Sequence, residues 1–303
     1  MQDRLTIDSP VTLGTALARA VRTVCDRRLS LAVEELPLLD ARLMCGDFEG
    51  VLELLRTAAP SPALPLLVAR YVRWSGDLQS AAAAWSQVLA SLEPAFTEQQ
   101  LEPSLRRLSL TSIASTATDL GEAVLAARLL AIARQIDATE TDGAPAADAG
   151  RDVQLVSDVA LTTLGIDPDA ARGRLRLRPR LDEIDELAAR NIRFGDGSVS
   201  IHAVRQRDIL TIRVEQDTGS IPVTLLLEPF VRGTGPTTID GQPADLVPQK
   251  VSADTPRPES LAAQHIGPGP GAAAPPGTVI PVQLVLDEIR TLVVTESGEI
   301  RGH

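Results

Sequence analysis

Apolar residues recur at helical spacing through the first half of the chain and at every second position through the second. Leu13, Leu17, Ala20, Val21 and Val24 fall on one helical stripe. The same period predicts helices over residues 11–30, 31–45, 48–58, 64–74, 78–92, 96–117, 121–136 and 153–164. Residues 139–150, rich in Ala, Asp, Thr and Gly, are expected to form a mobile loop between the last two. One phrase occurs twice in this region. In Arg42-Leu43-Met44-Cys45-Gly46-Asp47-Phe48 and in Tyr71-Val72-Arg73-Trp74-Ser75-Gly76-Asp77-Leu78, an apolar run ends at Gly, Asp follows, and a new apolar run begins. Gly closes a helix in the left-handed conformation, and Asp caps the next through its side-chain oxygen. Each phrase therefore predicts the corner of a helical hairpin. The corners lie 30 residues apart, so successive hairpins should stack.

Near Gly165 the period changes to two. Residues 174–180, 198–204, 209–215 and 221–227 alternate, as half-buried strands do. Short polar turns separate them, which predicts an antiparallel meander. Asp240-Gly241 is a hairpin signal. Residues 251–277 are rich in Pro, Gly, Ala and Ser and read as a disordered excursion. Residues 279–286 and 291–295 then read as a closing hairpin around Asp287-Glu288. The expected fold is thus α+β with two domains. Residues 1–164 form α/α hairpins, and residues 165–303 form an antiparallel β-sandwich.

The 303 residues suffice for about two domains. With 40 acidic against 29 basic residues, the net charge of −11 argues against nucleic acid and anionic membrane as partners. Cys25 and Cys45 make no disulfide framework and read as buried helix positions. The start of the chain lacks an apolar secretory core, and no run of 18 apolar residues occurs, so a cytoplasmic protein is expected.

The run Ser61-Pro62-Ala63-Leu64-Pro65-Leu66-Leu67-Val68-Ala69-Arg70-Tyr71-Val72-Arg73-Trp74-Ser75-Gly76-Asp77, followed by Trp85, resembles a hairpin of the six-hairpin (α/α)6 glycosidases. It is nearest their glycogen-debranching, amylo-α-1,6-glucosidase-like branch. Gly46-Asp47-Phe48-Glu49 resembles the preceding hairpin. The stretch from Gly165-Ile166-Asp167-Pro168 through Gly173-Arg174-Leu175-Arg176-Leu177-Arg178-Pro179 resembles the passage that leaves the barrel for a C-terminal β-sandwich. The resemblance covers about half the chain. It implies an α/α toroid, glycosidic-bond hydrolysis by two carboxylates, and an α-glucan-like substrate.

The departures from that pattern are specific. Twelve helices of ~15 residues with their turns need well over ~200 residues, so the toroid should be partial. The Trp-Gly-Arg-Asp-like phrase expected before the first corner is missing; Glu34, Glu35 and Asp40 stand there instead. Asp40 and Glu35 are the candidate catalytic carboxylates. Glu98, Glu102, Asp119 and Glu122 lie at helix ends, where the helix dipole already accounts for acidic residues. Sugar rings stack on aromatic faces, which makes Tyr71, Trp74 and Trp85 the candidate substrate-binding residues; the other reading is core packing within one hairpin.

Other chemistry is thinner. His202, His265 and His303 are too scattered for a metal site. No nucleophile elbow, P-loop or dinucleotide fingerprint occurs, so no cofactor is expected. Residues 172–180 hold five arginines. They could face an anionic partner, or form a solvated face balanced by Asp182, Glu183, Asp185 and Glu186; the second is the preferred reading. The expectation is a catalytically impaired glycosidase relative that binds carbohydrate or pairs, as an accessory subunit, with a protein partner or with itself. The alternative is a tetratricopeptide-like interaction module. The corner spacing is close to its period of about 34 residues, but no third copy of the phrase follows at a matching offset.

Overall fold

The computed structural model describes residues 6–8, 23, 36–58, 64–97, 107–135, 164–181, 185–233, 235–251, 277–287 and 289–296. Within them are six helices: α1 (Leu36–Met44), α2 (Phe48–Thr57), α3 (Leu64–Ser75), α4 (Leu78–Thr97), α5 (Arg107–Asp119) and α6 (Ala123–Gln135). The stretches expected as helix at 11–30 and 153–164 lie outside the described residues, Thr23 and Leu164 apart. So do the expected loop at 139–150 and Cys25. Cys45 is half-buried.

The helices pair as three hairpins, and each corner has a left-handed Gly followed by an acidic residue. At the first corner Gly46 N–H donates to Leu43 O (2.9 Å) and Asp47 N–H to Arg42 O (3.0 Å). At the third, Gly121 N–H donates to Thr118 O (3.0 Å) and Glu122 N–H to Ala117 O (2.8 Å). Both are Schellman closures. Gly76 uses the simpler bond to Val72 O (2.8 Å). The third copy therefore exists, as Gly121-Glu122. It comes later than a 30-residue repeat would place it, and α4 runs on to Thr97.

The first helices of the hairpins pack in series, α1 on α3 and α3 on α5, while α2 touches both α3 and α4. Helix α3 is buried on every side from Leu64 to Val72, as befits a helix at the centre of a layer. Its neighbours outside the helical hairpins are the 3-10 turn Ala170–Arg172 and the strands Asp167–Asp169 and Glu186–Phe194.

Fourteen strands are described. β1 (Thr6–Asp8), β4 (Glu186–Phe194), β5 (Gly197–Gln206), β6 (Ile209–Thr218), β14 (Arg290–Thr295), β9 (Thr237–Ile239) and β10 (Gln242–Ala244) form one sheet in the order β1-β4-β5-β6-β14-β9-β10. A second sheet has the order β13-β7-β3-β2, from Val282–Leu286, Val223–Leu227, Arg174–Leu177 and Asp167–Asp169. A short third sheet joins β11 (Gln249–Val251), β12 (Gly277–Val279) and β8 (Phe230–Val231). Every pair is antiparallel except β3 with β7, which is parallel. No closed barrel forms among the described residues.

Alternation sets the buried faces. Val199, Ile201 and Ala203 of β5, Leu210, Ile212 and Val214 of β6, and Leu175, Leu177, Leu225 and Leu227 of the second sheet all belong to one hydrophobic cluster. That cluster also holds the inner sides of the helices. The Asp-Gly hairpin forms as expected, with Asp240 at φ 51° and Gly241 at φ 77°.

Three expectations need correction. The last two strands are not a hairpin: β13 pairs β7, whereas β14 pairs β6 and β9. The short link between them changes sheets, with Arg290 bonded to Asp287 Oδ1 (2.7 Å) and Val285 O (3.2 Å). Val251 and Gly277, the ends of the expected excursion, are paired strand residues; 252–276 lie outside the described residues. Finally, β4 was not expected as a strand. A bulge between Ala189 and Ile192 shifts its register, so its buried residues do not alternate cleanly. From the opposite end of the chain, β1 pairs with β4.

Candidate functional site

The residues singled out by sequence lie where α1, α3 and the hairpin corners meet the strands. Asp40 projects from α1 and Arg70 from α3. Arg70 Nη1 donates to Asp40 Oδ2 at 2.5 Å, and the side chains are 0% and 4% exposed. Burial pushes the Asp40 carboxyl up; Arg70, Arg73 and the Trp74 indole act to pull it down. Burial likewise pushes the Arg70 guanidinium down, against the opposing pull of Asp40. Charges this far from water persist only when paired. Asp40 is therefore a helix-to-helix tie, closed to solvent. Glu35 lies outside the described residues.

The aromatic candidates are equally enclosed: Tyr71 and Trp74 are 2% exposed and Trp85 is 4% exposed. Phe194 is buried too, and Phe48 and Phe230 are half-buried. Tyr71, Trp74, Trp85 and Phe194 therefore present no open face on which a pyranose could stack.

The rest of the phrase is committed to structure, residue by residue. Tyr71 Oη donates to Asp77 Oδ2 (3.3 Å), and Asp77 Oδ1 accepts Ser80 N–H (2.9 Å) as the N-cap of α4. Burial acts to raise the Asp77 carboxyl, but hydrogen bonds from Ser80 and Tyr71 outweigh it and the net shift is downward. Burial, then the neighbouring Asp77, pushes the Tyr71 phenol up. Ser75 Oγ bonds Tyr71 O (2.7 Å) and accepts Asp77 N–H (3.1 Å). Arg73 pairs with Asp167 and donates from Nε to Pro168 O (3.0 Å). The Trp74 carbonyl accepts Gly195 N–H (2.9 Å). A Cβ on Gly76 would lie 3.0 Å from the carbonyl carbon of Ala170. The first corner follows the same plan. Arg42 Nε donates to Asp47 Oδ2 (2.7 Å), Asp47 Oδ1 accepts Gly50 N–H (3.3 Å), and Gly46 packs under the Arg193 side chain.

The first two corners thus dock on the strand region. Asp119, one of the helix-end carboxylates, is drawn into the same junction. Burial raises its carboxyl against Arg172, whose Nη2 lies 2.6 Å away. Glu122 closes the third corner through its backbone, its N–H donating to Ala117 O and its C=O accepting Ala126 N–H (2.9 Å). No group of three His, Cys, Asp or Glu placed to hold a metal occurs among the described residues. No helix among them is long and apolar enough to cross a membrane.

Among the described residues, the arginine run draws on carboxylates other than the expected ones. Asp185 and Glu186 do not neutralise it: Glu186 pairs with His202 (2.9 Å), and Asp182 and Glu183 lie outside the described residues. Among the described residues, the carboxylates that meet arginines of the run are Asp119, Asp167, Asp169 and Glu228. Sequence reading missed Asp167 and Glu228 because Arg73 and Arg178 reach them across 94 and 50 residues. Comparison with protein-family models, with curated proteins and with solved structures finds no match.

Proposed function

We propose that this chain is a catalytically silent relative of the six-hairpin glycosidases that works as an accessory protein for a protein partner. In this reading the three α/α hairpins are an arc of the toroid and the two larger sheets face each other as a β-sandwich. One observation carries the functional part. Asp40, the better-placed candidate carboxylate, is sealed in an ion pair with Arg70. A carboxylate that acts on a glycosidic bond must reach the substrate or its attacking water, and this one reaches neither. The enclosure of Tyr71, Trp74 and Trp85 supports a protein partner over a carbohydrate.

A second reading, an open helical-repeat interaction module, is favoured by one observation: the third Gly-acid corner at Gly121-Glu122. Both readings predict the same biochemical result. Purified protein should release no reducing sugar from glycogen or from α-1,6-linked glucans, and glycogen in a native gel should not retard it. Hydrolysis above buffer would overturn the proposal.

A further inference from the structure

We propose that the free edge of β13 pairs with the same edge of a second copy of this chain, joining two four-stranded sheets into one continuous sheet. Among the described residues the three sheets end at β1 and β10, at β13 and β2, and at β11 and β8. An open edge is a template for another strand, and proteins blunt it with short length, proline or charge. The other edges are blunted in this way. β1 has three residues and β8 two. β10 and β2 have three each and contain Pro243 and Pro168, the second between Asp167 and Asp169. β11 has three and carries Lys250. β13 has five residues, Val282-Gln283-Leu284-Val285-Leu286, with neither proline nor charge.

Hydrogen bonding shows which groups this edge offers. Ile280 N–H donates to Pro229 O (3.3 Å), continuing the register in which Val282 faces Leu227. Bonded pairs alternate along an antiparallel ladder. Val282, Leu284 and Leu286 therefore bond to β7, and Gln283 and Val285 turn their N–H and C=O outward. Arg290 Nε reaches the outward Val285 carbonyl (3.2 Å), in keeping with that direction, and a carbonyl can accept a second bond. Both outward residues are exposed, Val285 at 48%.

The occupant follows from the strand's own symmetry. Laid antiparallel on itself about a two-fold axis at Leu284, the strand pairs along its whole length. Val282 meets Leu286, Gln283 meets Val285, and Leu284 meets its copy. Gln283 and Val285 then exchange both backbone bonds on each side of the axis. Neighbouring registers are poorer. With the axis at Gln283, Val285 meets Pro281, which has no N–H. With the axis at Val285, Gln283 meets Asp287, whose side chain is tied to Arg290. The paired strands bring no charges together, although each chain carries −11. Val282 and Leu286 are buried, while Leu284, on the same core-facing row, is half-buried where the sheet stops. Leu284 of the second copy covers that open side.

Sedimentation velocity of the full chain, from about 1 μM to about 1 mM at physiological salt, tests this. The expected result is a reversible rise toward a dimer as concentration increases. Gln283→Pro removes an outward N–H and leaves the bonds to β7 intact. V285K places two lysines at diagonal positions across the pair. Each variant should raise the dimer dissociation constant by at least about tenfold and keep the melting temperature of the dilute protein. V285K leaves the backbone unchanged and decides the matter if Q283P does not fold. A monomer at every concentration, or a folded variant that dimerises as wild type does, would overturn the assignment. A monomer whose melting temperature falls in V285K would overturn it too, by placing another segment of the same chain on this edge.

Discussion

At the scale of single residues, Asp77 shows how one side chain closes a corner. It accepts the Ser80 amide at the start of α4 and the Tyr71 hydroxyl from the last turns of α3, so one carboxylate ties both helices of the hairpin. Asp77→Ala should destabilise the protein by about 1 kcal/mol. Its dependence on pH follows from the downward shift. A carboxylate whose folded value lies below its unfolded one stabilises the fold above the ordinary value of 3.8. That contribution disappears as pH falls through the folded value. Unfolding free energies of wild type and Asp77→Asn should therefore converge on acidification below 3.8. A gap independent of pH would show that the charge does not matter.

This residue was legible in sequence, because a cap needs only local order: Gly, Asp, then an apolar run. Asp40 was legible as a carboxylate but not in its role. Its partner lies 30 residues away, and no local pattern records which of the nearby arginines turns inward. The same holds for Arg73 with Asp167.

At the scale of elements, the three Gly corners share a backbone conformation but not an environment. Gly76 has φ +69° and faces the Ala170 backbone, whereas Gly121 has φ +86° and nothing within 4 Å of an added Cβ. Gly121→Ala should cost about 1 kcal/mol for the left-handed conformation alone. Gly76→Ala should cost clearly more, because the neighbouring atoms are backbone and cannot swing aside. Thermal unfolding of the two variants side by side tests this, and equal losses would contradict docking of the second corner on the strand region. Periodicity identified most helices and the central strands. It missed β4, where a bulge interrupts alternation, and it joined β13 to β14, because alternation gives a strand's faces and not its sheet. The three-residue strand β1 carries no pattern long enough to read.

For the whole molecule, helices and strands share one continuous hydrophobic cluster, and the interior polar groups are arranged as ties. Arg205 binds Glu296 through Nε at 2.9 Å and Nη2 at 3.0 Å and also reaches the Phe230 carbonyl at 3.1 Å. This fixes the end of β14 to β5 and to the third sheet, as Asp40 and Arg70 fix α1 to α3. Asp40 and Tyr71, singled out in the sequence as site candidates, are among these ties.

The measurement that tests this most directly is the equilibrium unfolding free energy of D40L, R70M and the double variant D40L/R70M. Each single change removes one member of the buried pair and should cost about 3–5 kcal/mol, while the double, which replaces the pair by apolar groups of similar reach, should return to within about 1 kcal/mol of wild type. Additive losses, or a D40L protein as stable as wild type, would contradict the structural role of Asp40 and restore it as a candidate for chemistry.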